Sequence, residues 1–386
     1  MDVAQLRSQI PALANQVWMN TGWSGPSPLS VVEAIKNRID MEAMEPPASM
    51  RVIETAREIR GQALQAVGRL MNASEEELVM TRNTTEGLNI VMSGLDWQPG
   101  DEIVTCSLEH PSVLAPAWMI GLRYRVGVRI VALDPHDPAD VILEKFQAAM
   151  TPRTRLIFIS HIQYSTGMRM PAPELARMAH ENGAEILLDG AQTAGHIALD
   201  MVADDYDYYS IPGQKWMLGF EGVGALYIRR ELLTAVHPAH TGGRHMESPV
   251  TPNHIVPNPA TMDKFLGGSG SIPLQAAFLE ATRFIEPIGV GNIEARNLQL
   301  ASRLKAQLRE SPHVTVLSPE DGPLASGLVS FSVEGWEPDA LDDQLWENNR
   351  IVVRHIEHPE GVRASLHFFN TEEEVDQLAA AVRNLA

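Results

Sequence analysis

Short apolar runs recur along the chain, each stopped by a polar residue or a glycine. They lie at Ile103–Cys106, Val128–Leu133, Leu156–His161, Ile186–Leu188 leading into Asp189, Tyr206–Ser210 and Val223–Ile228. A run of this length without alternation describes a strand buried on both faces. Between them, apolar positions fall at helical spacing near Leu29–Met41, Met50–Met71, Thr84–Leu95, Val141–Met150, Ala172–Asn182 and Pro273–Ile285. Strand alternating with helix predicts an α/β fold with a mostly parallel sheet and right-handed crossovers. The Val223–Ile228 strand is expected to run antiparallel beside the others.

After residue 290 the pattern changes. A long helix near Ile293–Arg309 is followed by strands at Val314–Leu317, Leu328–Val333 and Ile351–Val353, with helices near Pro338–Glu347 and Thr371–Leu385. This predicts a smaller α+β C-terminal domain over 291–386 and a large domain over 21–290. Residues 1–20 are expected to form a segment packing with the small domain.

The net charge of −19 disfavours nucleic acid and anionic membranes as partners. A single cysteine, Cys106, forbids an internal disulfide and fits a reducing, cytoplasmic setting. The N-terminus has neither a basic region nor a long apolar core, so no signal peptide or transmembrane span is expected. No metal site is expected either.

The candidate chemistry centres on Asp189 and Lys215. Asp189 ends an apolar strand, at the carboxyl end where open α/β sheets hold their ligands. Lysine is scarce: only Lys36, Lys145, Lys215, Lys264 and Lys305 are present. Lys36, Lys145 and Lys305 lie in polar helical patterns, whereas Trp216, Met217 and Leu218 follow Lys215, so its surroundings should lower its pKa. A buried carboxylate beside such a lysine suits pyridoxal 5′-phosphate (PLP), which needs a Schiff-base amine and a partner for its pyridine nitrogen. Thr84 and Thr85 open a helix whose N-terminus suits a phosphate.

Asp189-Gly190-Ala191-Gln192, Asp200, Asp207 and Gly213-Gln214-Lys215-Trp216 resemble the class V aminotransferase family of fold-type I PLP enzymes. That family includes cysteine desulfurases, C–S lyases and isopenicillin N epimerases. The resemblance covers nearly the whole chain and fixes the cofactor better than the reaction. It implies Lys215 as Schiff-base residue and general base, Asp189 on the pyridine nitrogen and Gln192 on the phenolate oxygen. It implies His110 stacked on the ring, and Thr84, Thr85 and Gln214 near the phosphate. Ser269 would reach the other subunit's phosphate, which implies a homodimer with shared sites. Arg363 would pair with the substrate α-carboxylate, with Arg354, Asn20, Gly22, Trp23 and Tyr164 as further substrate contacts.

Two departures matter. Pro212-Gly213-Gln214 stands where many members have a hydroxyl and an imidazole before the lysine, so a phosphate contact is lost unless Ser210 replaces it. The stretch from Arg354 to Arg363 has no cysteine, where the resembled desulfurases have their nucleophilic thiol. Cys106 sits in an apolar strand and is read as structural. The expected reaction is β-elimination from cystine or a cysteine S-conjugate. Epimerisation or transamination is the alternative, and a non-catalytic PLP-fold binding protein a distant one.

Overall fold

The computed structural model describes residues 1–248 and 250–385. Pro249, within the His237–Pro259 stretch, and Ala386 lie outside the described residues. A seven-stranded sheet forms the centre. Across it run Leu78–Thr81, Gly224–Ile228, Tyr208–Pro212, Glu185–Asp189, Thr154–Ser160, Glu102–Cys106 and Gly127–Val131. Only Gly224–Ile228 runs against the rest, as expected. Glu102–Cys106, Tyr208–Pro212 and Gly224–Ile228 are buried at every position, because helices cover both faces.

The register places the tips of three strands side by side. Ser160 pairs with Asp189, and Asp189 with Ser210. The strand carrying Ser210 starts at Tyr208 rather than Tyr206, and at Asp207 the side chain takes the place of a backbone acceptor. It accepts from the Ile186 N–H at 2.8 Å and pairs with His180 and Arg229. The helices Met50–Met71 and Ile272–Ile285 pack together against one flank of this body.

A second, four-stranded antiparallel sheet follows, ordered Arg354–Glu357, Glu360–Ser365, Leu328–Val333 and Val314–Val316. The helices Val290–Leu308, Pro338–Asn349 and Glu372–Arg383 accompany it. Val17–Trp18 pairs in parallel with Ile351–Val352, and Arg7 bonds both the Phe369 carbonyl and Glu374. Thr371 caps the last helix in a box with Glu374, as its acidic start suggested.

One expectation about lysines is corrected. Lys305 is not a solvated helix charge: it is buried, donates to the Pro319 carbonyl at 2.8 Å and pairs with Asp321 at 2.6 Å. Lys264 is buried as well, its amine held by the Leu233 and Pro259 carbonyls. Burial alone therefore does not single out Lys215. Its neighbours do.

Candidate active site

Asp189 is 2% exposed at the carboxyl end of its strand. One oxygen accepts from the Ala191 N–H at 2.8 Å. Burial pushes its carboxyl up, and the nearby Lys215 cation pulls it back down. Lys215 follows the Tyr208–Pro212 strand by three residues, on a bend. Burial lowers its ammonium to about 8, helped by Arg363 and Arg354 and opposed by Asp189. Lys264 reaches a similar value by burial alone, with no carboxylate or guanidinium acting on it.

The backbone under Lys215 is fixed by a close approach. Gly25 N–H donates to the Gln214 carbonyl at 2.6 Å, and a Cβ on Gly25 would lie 2.3 Å from the Lys215 carbonyl oxygen. Only glycine fits there. Gly25 was not singled out from the sequence. Its signal was the Gly25-Pro26 pair in a loop rich in small residues.

His110 caps the helix Pro111–Tyr124 and meets Tyr164 edge-on, with ring centroids 4.9 Å apart. Its Nδ1 accepts from the Ser112 N–H at 3.1 Å. Burial, with the charges of Lys215, Arg354 and Arg363, lowers its pKa to about 4. The imidazole is thus neutral at pH 7, with its proton on Nε2. Just behind it, Glu109 is buried and accepts from the Ser160 N–H at 2.8 Å, the Ser160 hydroxyl at 2.6 Å and Gln163 at 2.8 Å. Burial raises its carboxyl to about 7.

The helix Thr84–Gly94 points its N-terminus toward the Asp189–Ser210 strand ends. The Thr84 hydroxyl is buried without a hydrogen-bond partner among the described residues. Thr85 instead is exposed, its hydroxyl 2.8 Å from the Ser112 hydroxyl. Ser210 is committed elsewhere: its hydroxyl donates to the Thr84 carbonyl at 3.0 Å. It therefore anchors the helix start and does not replace the contact absent at Pro212. A Cβ on Gly87 would sit 2.2 Å from that same hydroxyl, which is why the helix comes so close. Gln214 keeps its side-chain oxygen buried and unpartnered. Ser269 is exposed and lines a groove of about 940 Å³ with Arg60, Asn83, Thr85 and Glu86.

The residues expected to contact substrate gather around Gly22. A Cβ there would lie 2.7 Å from the Ser365 hydroxyl and 3.0 Å from both Arg363 Nη2 and Gln192 Oε1. Arg363 is fully buried, with Nη1 donating to the Tyr164 carbonyl at 2.6 Å. Among the described residues, its Nε and Nη2 have no partner, nor do the buried side-chain oxygens of Asn20, Thr21 and Ser365. Arg354 lies directly across the strand pair from Arg363 and stacks over Trp23, its guanidinium carbon 4.1 Å from the ring centre. Burial and the Arg354 charge lower Arg363 to about 9. Like charges opposite each other in a sheet repel. Among the described residues no carboxylate forms a salt bridge with either guanidinium.

These residues fit PLP on their own terms. A buried acid, a lysine of lowered pKa, and a helix N-terminus with an unpartnered hydroxyl stand at adjacent strand ends, which is what its ring, aldehyde and phosphate require.

Fold and site define a fold-type I PLP-dependent enzyme. A family model for aminotransferase class-V matches residues 24–378, and the chain belongs to that family. It is 30% identical over 412 residues to a cysteine desulfurase of Synechococcus elongatus, covering all of this chain and 64% of that protein. It is 31% identical over 383 residues to the isopenicillin N epimerase of Streptomyces clavuligerus, covering 94% of this chain and 93% of the other. The cystine C–S lyase C-DES, solved with its product cysteine persulfide, superposes with a TM-score of 0.92 at 29% identity, over 97% of this chain and 99% of that one. A lysine-to-alanine variant of C-DES holds glycine covalently linked to the PLP cofactor. Among the described residues, no helix is long and apolar enough to cross a membrane.

Proposed function

We propose that the chain is a carbon–sulfur lyase that acts by β-elimination on cystine or a cysteine S-conjugate, releasing pyruvate, ammonia and a thiol or persulfide. The observation that carries this reading is the hairpin Arg354–Ser365. It presents two guanidiniums without carboxylate partners and contains no thiol. Arg363, whose Nε and Nη2 are unpartnered among the described residues, would take the α-carboxylate in a bidentate fork. Arg354, farther out on Trp23, suits a second anionic group such as the distal carboxylate of cystine.

Lys215, through Nζ, would hold PLP, with Asp189 on the ring nitrogen, Gln192 on the ring oxygen, and Thr84, Thr85 and Gln214 at the phosphate. When bound, the cofactor supplies an electron sink for charge developing at the substrate Cα. Lys215 Nζ, with its pKa near 8, moves the Cα proton. Neutral His110 would stack on the ring, as the family resemblance implies, and would offer Nε2–H. Arg363 fixes Cα so that its proton faces the lysine. The sulfur leaves from Cβ without any enzyme thiol. Cys106, the only cysteine, is fully buried and its thiol is pushed up by burial and by Glu109. A homodimer in which the exposed Ser269 approaches the neighbour's phosphate site goes with this reading.

The similarity to the epimerase supports a second reading, in which Cα is reprotonated from the other side. Incubation with cystine and with cysteine S-conjugates separates the two. A lyase yields pyruvate and ammonia in equal amounts and leaves recovered substrate of one hand; an epimerase returns substrate of both hands and no pyruvate. Cys106→Ser retains most activity. Alanine formed in step with a Cys106 persulfide, and lost in that variant, would overturn the proposal.

A further inference from the structure

We infer that Trp216 is a positioning residue whose indole N–H locks the Gln192 side chain with its amide oxygen committed and one amide hydrogen left to donate. The contact is 2.8 Å from Trp216 Nε1 to Gln192 Oε1. An indole N–H only donates, so the atom facing it must be the amide oxygen. The other end is equally unambiguous: Gln192 Nε2 donates to the Gly22 carbonyl at 2.9 Å, and a carbonyl only accepts. Turning the amide over would set two donors against each other and two acceptors against each other. Both residues are about fully buried, so water cannot repair either fault. One amide hydrogen of Gln192 remains uncommitted.

Trp216 is itself held on every side. The His196 ring stacks on it, with centroids 3.6 Å apart and planes 10° from parallel. His196 Nε2 accepts from the Gly327 N–H at 2.8 Å, so its Nδ1 carries the proton and donates to the Gln192 backbone carbonyl at 2.8 Å. His367 meets the indole edge-on at 5.1 Å and bonds the Trp216 carbonyl through Nε2 at 3.0 Å. Gly195, at φ +81°, lets that carbonyl come within 2.6 Å of where a Cβ would be. Gly327 and His367 flank the ends of the four-stranded sheet. That sheet also carries Arg363, so one assembly ties the carboxylate-binding side to the residue after Lys215.

The inference rests on reading Gln192 as the partner of the cofactor's ring oxygen. An N–H aimed at that oxygen draws off its negative charge, so the adjoining cationic nitrogen loses its proton at lower pH. Trp216→Phe keeps an aromatic ring for His196 and removes the N–H together with part of the indole. In the holoenzyme, the readout is the pH midpoint at which the visible absorbance of bound cofactor changes. Trp216→Phe and Gln192→Leu are each expected to raise it by about one pH unit, a roughly tenfold effect. The double variant is expected to go no further than either single one. Additive shifts, or an unchanged midpoint in Trp216→Phe while Gln192→Leu moves it, would overturn the inference. An unchanged midpoint in Gln192→Leu would instead overturn the reading of Gln192 itself. Should Trp216→Phe fail to fold, the indole N–H signals of 15N-labelled holoenzyme serve. One of the seven tryptophan signals should shift upfield in Gln192→Leu, and a spectrum with none moved refutes the contact.

Discussion

Replacing Arg363 by methionine should stabilise the fold while removing most of the activity. The guanidinium is fully buried, with one hydrogen bond among the described residues, to the Tyr164 carbonyl. Its Nε and Nη2 have no partner, and Arg354 sits opposite. Exchanging buried ionic groups for apolar ones of similar volume is often stabilising by about 1–4 kcal/mol. Losing the Tyr164 contact costs about 1 kcal/mol or somewhat more. The net is about 1–2 kcal/mol in favour of the variant. With an unfolding entropy of roughly 2 cal/mol/K per residue, that raises Tm by about 2 °C. Against substrate the sign reverses. Truncating one side of a desolvated, hydrogen-bonded charge pair costs about 2–5 kcal/mol, so kcat/KM should fall from roughly thirtyfold to several thousandfold. Thermal unfolding of cofactor-saturated protein without substrate, beside steady-state kinetics, measures both. A Tm lowered by several degrees would show that the guanidinium holds the fold together and would refute the argument.

Glu109→Gln should flatten the pH dependence of stability. The folded carboxyl titrates near 7 against an ordinary 4.5. A carboxyl raised in this way contributes stability that is complete below pH 4.5 and lost as pH rises to 7, on the order of 3 kcal/mol. Urea unfolding at pH 5 and pH 8 checks this, and an unchanged difference between the two in the variant counts against it. Gly22→Ala places a methyl 2.7 Å from the Ser365 hydroxyl and 3.0 Å from Arg363 and Gln192. Overpacking of about 1–3 kcal/mol, directed at the substrate-binding groups, should raise KM about tenfold or more. A normal KM would mean that these groups yield freely.

The parallel strands were legible because burial on both faces writes an unbroken apolar run, as in Ile186–Leu188 before Asp189. The hairpin Arg354–Ser365 was not. Its faces divide between core and cleft, so Arg354, His355 and Arg363 interrupt any period. The role of Ser210 was equally hidden: a hydroxyl spent on a backbone carbonyl reads the same as one offered to a ligand. Trp216 read as apolar shielding for Lys215, and only the spatial return of Gln192 shows its N–H in use. Lys305 misled in the opposite direction, because a polar helical pattern does not show that Asp321 and the Pro319 carbonyl enclose its amine.

The central claim is that Lys215 holds the cofactor, and borohydride reduction of the holoenzyme followed by peptide mapping tests it most directly. Lys264 is the informative control, since burial brings its amine to about the same pKa without an acid beside it. A single pyridoxyl label is expected on Lys215, and none in a Lys215→Ala variant. A label on Lys264, or on Lys36, Lys145 or Lys305, would contradict the claim.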